Sequence, residues 1–370
     1  MNTLIESLKK VKDFRRSAGT RHPLWLVLLI VILGTMAGHQ GYRAWGNFAK
    51  YNKQYLVQTF KIYPIRVPSN STIRRVLLGV STSDLLKAFN EWCQELLSYI
   101  PAGDGVAFDG KTLRNTVTDS QESSQNWVAL VSAFSQATGL VLKLRKFEAQ
   151  KGSEIHYIQE MLRDYPALSQ ILTLDALHCQ KLTNQLISES GNDYIIPVKK
   201  NQINLYKQIE NISESQEPDS EFEEDDISHG REIYRQVSVF YTDKNPKCQE
   251  KIKSWGWDKV QSLIRVERWG FRGDEPYQNT RYYISSLSVH AQLFAEKIRN
   301  HWQIENRLHW VKDVIFNEDN SPIKSRKPAT NISILQTIAL NLFRFLGFLS
   351  VTEGSRWLNG RLCRLSLLLE

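Results

Sequence analysis

The spacing of apolar residues in the last third of the chain predicts a helix with two different faces. In residues 301–319, HWQIENRLHWVKDVIFNED, an apolar stripe recurs at helical spacing and consists of Ile304, Leu308, Val311 and Ile315. An ionisable ridge lies directly beside this stripe and consists of His301, Glu305, His309 and Lys312. Because Trp302 and Trp310 flank the ridge, we predict that it lines a cleft. The alternative is a core helix with a partly exposed polar edge.

The middle of the chain changes from helical to strand-like patterning at Gly103. The turn SQATG, with Gly139, predicts a hairpin between two of the strands. The predicted elements are, in order, strands at 106–108, 127–134 and 140–147, a helix at 153–162, a strand at 171–174, a helix at 179–190 and a strand at 193–198. The order β-β-β-α-β-α-β indicates an α/β fold, a mixed sheet with helices on both faces.

Residues 24–100 are predicted to be entirely helical. The predicted helices cover 24–33, 42–60, 71–78 and 83–100, with Pro64, Pro68 and Pro101 at the breaks. Ser71 or Thr72 is expected to cap a short helix that carries Arg74 and Arg75, and a basic helix of this kind suits contact with a major groove or with phosphates. The basic residues 1–22 form either a solvated leading helix or an arm that contacts phosphates.

Residues 200–280 interrupt the alternation of strands and helices. An acidic stretch at 217–226 is predicted to be a solvated loop. The remaining predicted elements are strands at 232–241, 261–268 and 281–285 and helices at 289–300, 301–316 and 331–348.

Composition narrows the class of protein. The 370 residues carry a formal net charge of +8, which favours an anionic partner, with nucleic acid as the default. The four cysteines are far apart and give neither a zinc signature nor a disulfide framework, so a reducing cytoplasm is expected. The apolar run at 24–33 is too short to span a bilayer, and we predict no membrane role. Glycine-rich nucleotide loops are missing, which disfavours nucleotide hydrolysis.

Three acidic residues are candidates for catalysis. Asp109 and Asp175 each follow an apolar strand, where an α/β sheet places its sites, and Glu305 lies on the ridge. Converging carboxylates repel each other without a cation, and Mg²⁺ or Mn²⁺ fits such ligands. Two such ions about 4 Å apart would activate a water or a 3′-hydroxyl for an in-line phosphoryl displacement. They would also stabilise the leaving oxygen of that reaction. The alternative for each Asp is a helix or turn cap. A zinc site on the ridge is disfavoured because the HExxH order is absent.

Basic residues near these carboxylates are candidate phosphate contacts. They are Lys111, Arg114, Lys199, Lys200, Arg299, His301, His309 and Lys312. For Lys312 the alternative is a structural pair with a carboxylate or with His309.

Several long motifs occur in an order that resembles a known family. They are AFDGKTLR, LTLDALHCQK, DYIIPVKKNQ, HGRE, RYYISSL and HWQIENRLHWVKDVIFNED. Together they resemble the H-repeat-associated type of bacterial insertion-sequence transposase, of the DDE class. This resemblance implies a ribonuclease-H-like core with Asp109, Asp175 and Glu305 as the catalytic, metal-binding triad. It also implies a helical DNA-binding-associated domain at 1–100, a catalytic domain at 101–350 with a β-rich insertion at 203–280, and a tail at 351–370.

The activity implied by the resemblance is cut-and-paste transposition, in which DNA is cleaved at element ends and joined to a target. The partners would be terminal inverted repeats, target DNA and a second copy of the chain, in the bacterial cytoplasm and on the nucleoid when DNA is bound. Broader DDE relatives have a Tyr, Arg, Glu, Lys signature. Glu305 and Lys312 match it, whereas Ile298 and His301 stand at the other positions, so His301 or Arg299 would hold phosphate. The alternatives are a metal nuclease without strand transfer and an inactive DNA-binding protein.

Overall fold

The computed structural model describes residues 2–17, 20–63, 65–116, 127–148, 153–228, 231–272 and 275–359. The predictions that concern Pro64, Cys363, the first two residues of the HGRE motif and the tail beyond residue 359 lie outside these residues. The described residues form two compact units. The terminal unit comprises Met1–Ile100, Gly110–Ser153 and Ile304–Glu370, and the central unit comprises Pro101–Asp109 and Glu154–Gln303. In the described part of the chain, no helix is long and apolar enough to cross a membrane.

Nine strands lie within the described residues. They are β1 (Gly105–Thr112), β2 (Val128–Ser135), β3 (Val141–Glu148), β4 (Ile171–Thr173), β5 (Asp193–Val198), β6 (Ser220–Ser228), β7 (Arg231–Tyr241), β8 (Ser262–Arg272) and β9 (Glu275–Ser285). All the predicted strands are confirmed, and their order with α7 and α8, defined next, is the predicted β-β-β-α-β-α-β.

The helices divide between the two ends and the middle of the chain. They are α1 (Asn2–Lys9), α2 (Leu24–Met36), α3 (Tyr42–Tyr51), α4 (Lys53–Thr59), α5 (Asn70–Gly79), α6 (Thr82–Leu96), α7 (Ser153–Arg163), α8 (Lys181–Glu189), α9 (Ile203–Ser215), α10 (Pro246–Ser254), α11 (Ala291–His301), α12 (Arg326–Phe345) and α13 (Val351–Leu358). Two π-helical segments, π1 (Glu305–His309) and π2 (Val311–Ile315), lie between α11 and α12.

The central unit is built on a mixed sheet with the strand order β1-β4-β5-β9-β8-β7-β6. The strands β1, β4 and β5 are parallel, and the others pair antiparallel. Helix α11 covers one face, where Val237, Ile264 and Tyr283 pack beneath Phe294. On the other face, Tyr206 of α9 makes an edge-to-face contact with Tyr282, with ring centroids 5.0 Å apart. The predicted mixed sheet with helices on both faces is therefore present in this unit.

The terminal unit combines helices with the strands β3-β2-β1, to which β1 contributes residues 110–112. The hairpin between β2 and β3 turns at Gly139, whose φ of +75° is a backbone conformation that glycine adopts without steric cost. Helix α2 is buried on all sides, which explains its uniformly apolar sequence. Asn341 of α12 exchanges two 2.8 Å hydrogen bonds with the backbone of Val141, and these bonds fix the helix against β3.

The acidic stretch at 217–226 is not the solvated loop that its composition predicted. Most of it forms β6, which pairs with β7 along nine residue pairs. Glu224 lies opposite Arg235 and forms an ion pair with it, and Glu221 accepts a hydrogen bond from Ser238 at 3.0 Å. Partners from a different strand therefore satisfy Glu221 and Glu224, and a local composition rule cannot detect such partners.

Three predictions for the helical first hundred residues also need correction. The cap of α5 is Ser69, whose Oγ accepts a hydrogen bond from the Thr72 amide at 3.3 Å, rather than Ser71 or Thr72. The helix predicted at 42–60 is divided at Asn52 into α3 and α4. The leading helix α1 is not fully solvated, because Leu4 and Leu8 are buried where it packs against α2 and α6.

Candidate active site

The two strand-end aspartates of the central unit lie at the same edge of the sheet. The parallel strands β1 and β4 align Gly105 with Ile171 and Ala107 with Thr173. Continuing this register by two residues brings Asp109 level with Asp175. Neighbouring strands are about 4.8 Å apart, so these two carboxylates project from adjacent positions at the carboxyl edge.

Asp175 has the capping role that was the alternative for it, and its role as a metal ligand stays a prediction. Its Oδ1 accepts a hydrogen bond from the Leu177 amide at 3.0 Å, which caps a short 3₁₀ turn, and lies 3.5 Å from Nε2 of His178. The side chain is nevertheless 54% exposed, so the capping contact leaves it accessible to a ligand. His178 is buried and also lies 3.5 Å from Glu154, which fixes its ring beneath the turn.

Asp175 lines a cleft of about 450 Å³ within the central unit. Its charged lining residues are Asp175, Lys199 and Arg281, its aromatic lining residues are Tyr206, Tyr282, Tyr283 and Trp302, and His301 also lines it. Nδ1 of His301 lies 2.9 Å from Oγ1 of Thr173, and this hydrogen bond holds the ring at the end of α11. The cleft therefore combines one carboxylate with two cationic side chains, a histidine and aromatic walls.

Glu305 and His309 lie together on the first π-helical segment of the terminal unit. Oε2 of Glu305 is 3.4 Å from Nδ1 of His309. Glu305 is 50% exposed at its side chain, whereas His309 is buried. The Trp310 amide donates to the Glu305 carbonyl, five residues earlier, which is the defining hydrogen bond of a π turn. π turns of this kind occur frequently at functional sites.

The ridge predicted on an ideal helix is divided by the π turns. The apolar residues Ile304, Leu308 and Val311 are buried as expected, but Phe316 rather than Ile315 completes the stripe. A wider turn advances by a smaller angle per residue, so seven residues no longer complete two turns. Lys312 consequently points into the protein, away from the exposed side that Glu305 occupies.

Lys312 belongs to a buried ionic cluster, a group of charges in the terminal unit that consists of Lys111, Lys312, Asp313, Glu318 and Asp319. Nζ of Lys312 lies 3.3 Å from Glu318 and donates to Oγ of Ser333 at 2.6 Å. Nζ of Lys111 lies 2.6 Å from Asp313, 3.1 Å from Glu318 and 3.5 Å from Asp319. Lys312 therefore forms a pair with a carboxylate, as the alternative to a phosphate contact predicted. Its contact with a phosphate stays a prediction.

Burial and charge shift the pKa values of this cluster in opposite directions. Burial lowers the pKa of Lys312 and raises that of Asp313. For Lys111, burial acts to lower the pKa, but the carboxylates of Glu318 and Asp313 outweigh it and the pKa is raised. For Glu318, burial acts to raise the pKa, but Lys312 and Lys111 outweigh it and hold the pKa below its usual range. The sequence did not lead us to Asp313, Glu318 and Asp319 as partners of Lys312. Their closeness to Lys312 in the chain was a signal that could have indicated them.

The remaining predicted phosphate contacts are on the surface. Lys199 and Lys200 follow β5 and are exposed, and Arg299 forms a 2.7 Å ion pair with Glu224. Arg114 is 80% exposed and lies 3.6 Å from Asp319. Arg74 and Arg75 are exposed on α5. Arg281, a cleft residue within the recognised motif RYYISSL, is a candidate that the sequence reasoning did not single out.

Two family models match this chain. A model described as "Transposase DDE domain" matches residues 101–342, and one described as "DDE_Tnp_1-associated" matches residues 5–93. The chain is 31% identical over 350 residues to "Putative transposase YncI" of Escherichia coli O157:H7, a match that covers 93% of this chain and 88% of that protein. It is 31% identical over 353 residues to "H repeat-associated putative transposase YhhI" of Escherichia coli K12, which covers 92% of this chain and 90% of that protein.

These matches extend over most of the chain, and the first family model includes all three candidate carboxylates, Asp109, Asp175 and Glu305. The strand-end aspartates, the cationic cleft and the exposed glutamate agree with an enzyme that acts on DNA. The chain belongs to the transposase DDE domain family and is similar to the H-repeat-associated transposases.

Proposed function

We propose that this protein is a cut-and-paste DNA transposase that cleaves strands at the ends of its element and joins them to target DNA. The observation that carries the proposal is the parallel register of β1 and β4, which brings Asp109 level with Asp175 beside a cationic cleft. The family supports a transposase role, and cleavage and joining are the chemistry proposed for this site.

We further propose that Asp109, Asp175 and Glu305 bind the catalytic divalent metal, as two Mg²⁺ or Mn²⁺ ions. The donor set fits, because hard cations prefer carboxylate oxygens and Asp175 and Glu305 are each about half exposed. Bound metal would supply a more acidic water or 3′-hydroxyl and stabilise charge on the leaving oxygen. Lys199 and His301, which line the cleft, would orient the negative phosphate beside these carboxylates.

The wider organisation follows the same proposal. The core would be ribonuclease-H-like, with a catalytic domain at 101–350, an insertion at 203–280, and residues 351–370 as a tail. Residues 1–100 would form the DNA-binding-associated domain. The chain would assemble as a homodimer on DNA with terminal inverted repeats, in the bacterial cytoplasm and on the nucleoid.

An assay with labelled DNA tests this function directly. The DNA that borders the gene, screened for inverted repeats, supplies the labelled duplex ends, and the purified chain is incubated with these ends, plasmid target and Mg²⁺. Cleavage followed by joining to the plasmid is the expected result. Cleavage without joining would indicate a nuclease, and retention of intact ends would indicate a DNA-binding protein, so either result contradicts the proposal.

Arg74→Ala together with Arg75→Ala is expected to reduce the preference for element ends over random DNA by at least about tenfold. Base-edge contacts from arginine carry sequence information, at about 1–3 kcal/mol for each good pair. Competition binding with the two duplexes measures this preference, and circular dichroism checks the helical content. Lys87→Ala, at an exposed position on α6, serves as the matched control. An unchanged preference in the double variant would remove these arginines from end recognition.

A further inference from the structure

The sheet face beneath α11 carries an arginine patch, defined here as Arg235, Arg268 and Arg281. These residues share the strand alternation of Val237, Val266 and Tyr283, whose side chains pack under α11, so the patch continues the same face. Arg235 lies directly opposite Arg268. Because Val266 is paired with Arg281 and Arg268 with Asn279, Arg281 is the diagonal neighbour of Arg268.

Among the described residues, the arginines of this patch outnumber the carboxylates that form ion pairs with them. Glu224 pairs with Arg235 and also with Arg299 of α11. Arg281 donates to the amide oxygen of Asn279 at 3.1 Å, and no described carboxylate forms an ion pair with Arg268. The Nε atoms of Arg235 and Arg268 are buried without a hydrogen-bond acceptor among the described residues.

An arrangement of this kind is costly unless an anion completes it. Like charges directly opposite each other on neighbouring strands are destabilising, and a buried donor without an acceptor adds to the cost. The pKa of the Arg268 guanidinium is lowered by its burial and then by the neighbouring charges of Arg235 and Arg281. A bound anion would offset the repulsion between the arginines, and its oxygens would accept hydrogen bonds from the buried donors. Its negative charge would also counteract the lowering of the pKa of Arg268.

The position of the patch indicates which anion. Arg281 and Asn279 also line the cleft that contains Asp175, so the patch begins at the candidate active site. It extends from there across β9, β8 and β7, a distance of about 10 Å for two interstrand spacings. This is the axial length of about three phosphates in one DNA strand. The planar fork of arginine matches phosphate oxygens better than an ammonium group does.

We propose that Arg235, Arg268 and Arg281 form a track for backbone phosphates of the DNA strand whose reacting phosphate occupies the Asp175 cleft. This inference rests on the proposed function, since it takes that cleft as the catalytic centre. The track holds the strand without reading its sequence, because its contacts are to phosphates.

Salt-dependent binding of the full chain tests the track. The probe is a fluorescein-labelled duplex carrying the DNA that borders the gene, and anisotropy is measured over a series of KCl concentrations with EDTA present. Arg268→Gln is expected to weaken binding by about tenfold and to reduce the slope of log affinity against log salt by about one. Arg268→Lys keeps the charge and is expected to retain nearly the wild-type slope.

The matched control is Arg265→Gln on the same strand. Arg265 alternates to the other sheet face, where it pairs with Glu267 at 3.2 Å and donates to the Ser213 carbonyl at 2.8 Å. Its slope should equal that of the wild type, and thermal melts confirm that each variant is folded. A folded Arg268→Gln variant with wild-type affinity and slope would overturn the track. Absence of DNA binding by the wild-type chain would instead contradict the proposed function, and the track with it.

Discussion

Asp109→Asn, Asp175→Asn and Glu305→Gln are each expected to reduce DNA cleavage by at least about a thousandfold and to leave DNA affinity nearly unchanged. Each substitution replaces a charged ligand of the proposed metal site by a neutral amide, and metal stabilisation of the reacting groups contributes several kcal/mol to catalysis. DNA affinity depends mostly on lysine and arginine contacts with phosphates, which these variants retain. Single-turnover cleavage of labelled ends, together with anisotropy binding, measures both quantities.

Glu214→Gln provides the matched control, because Glu214 is an exposed carboxylate on α9. It should cleave at the wild-type rate, which would show that loss of one negative charge from the surface is not enough to stop the reaction. Near-normal cleavage by any one of the three variants would exclude that residue from the metal site. Loss of DNA binding in parallel with cleavage would indicate misfolding or a binding role instead.

Glu318→Gln is expected to lower the free energy of unfolding by about 3 kcal/mol. Glu318 is buried and contacts Lys312 at 3.3 Å and Lys111 at 3.1 Å. Neutralising it leaves two buried ammonium groups with less countercharge, and breaking a buried pair from one side typically costs about 3–5 kcal/mol. Urea unfolding at neutral pH measures the change, and Glu353→Gln, at an exposed position on α13, is the control.

The same variant should change the dependence of stability on pH. Because the pKa of Glu318 is lowered in the folded protein, its contribution is present above the ordinary carboxyl pKa of 4.5 and is lost as pH falls through the lowered value. Asp313, whose pKa is raised by burial, acts in the opposite direction. The difference in unfolding free energy between wild type and Glu318→Gln should therefore shrink in acid. A difference that stays constant from pH 7 into the acid range would contradict the ion-pair role.

Local sequence determined much of the architecture. Apolar alternation and helical spacing predicted the strands around Asp109 and Asp175, the hairpin at Gly139 and the buried helix α2. These features depend on backbone propensity and on which side chains avoid water, and both are encoded in a few neighbouring residues. That Asp109 and Asp175 lie next to each other could not be read from these local patterns. It follows only from the parallel pairing of β1 with β4.

Tertiary structure decided the features that depend on distant partners. The acidic run became strand β6 because β7 supplies Arg235 and a complete hydrogen-bonding edge, which its own composition does not indicate. Lys312 turned inward because the π turns changed its direction and Glu318 and Ser333 were placed to receive its charge. An ideal helix drawn from the sequence fixes only the angle between neighbouring residues, whereas packing against other elements decides whether that angle is kept.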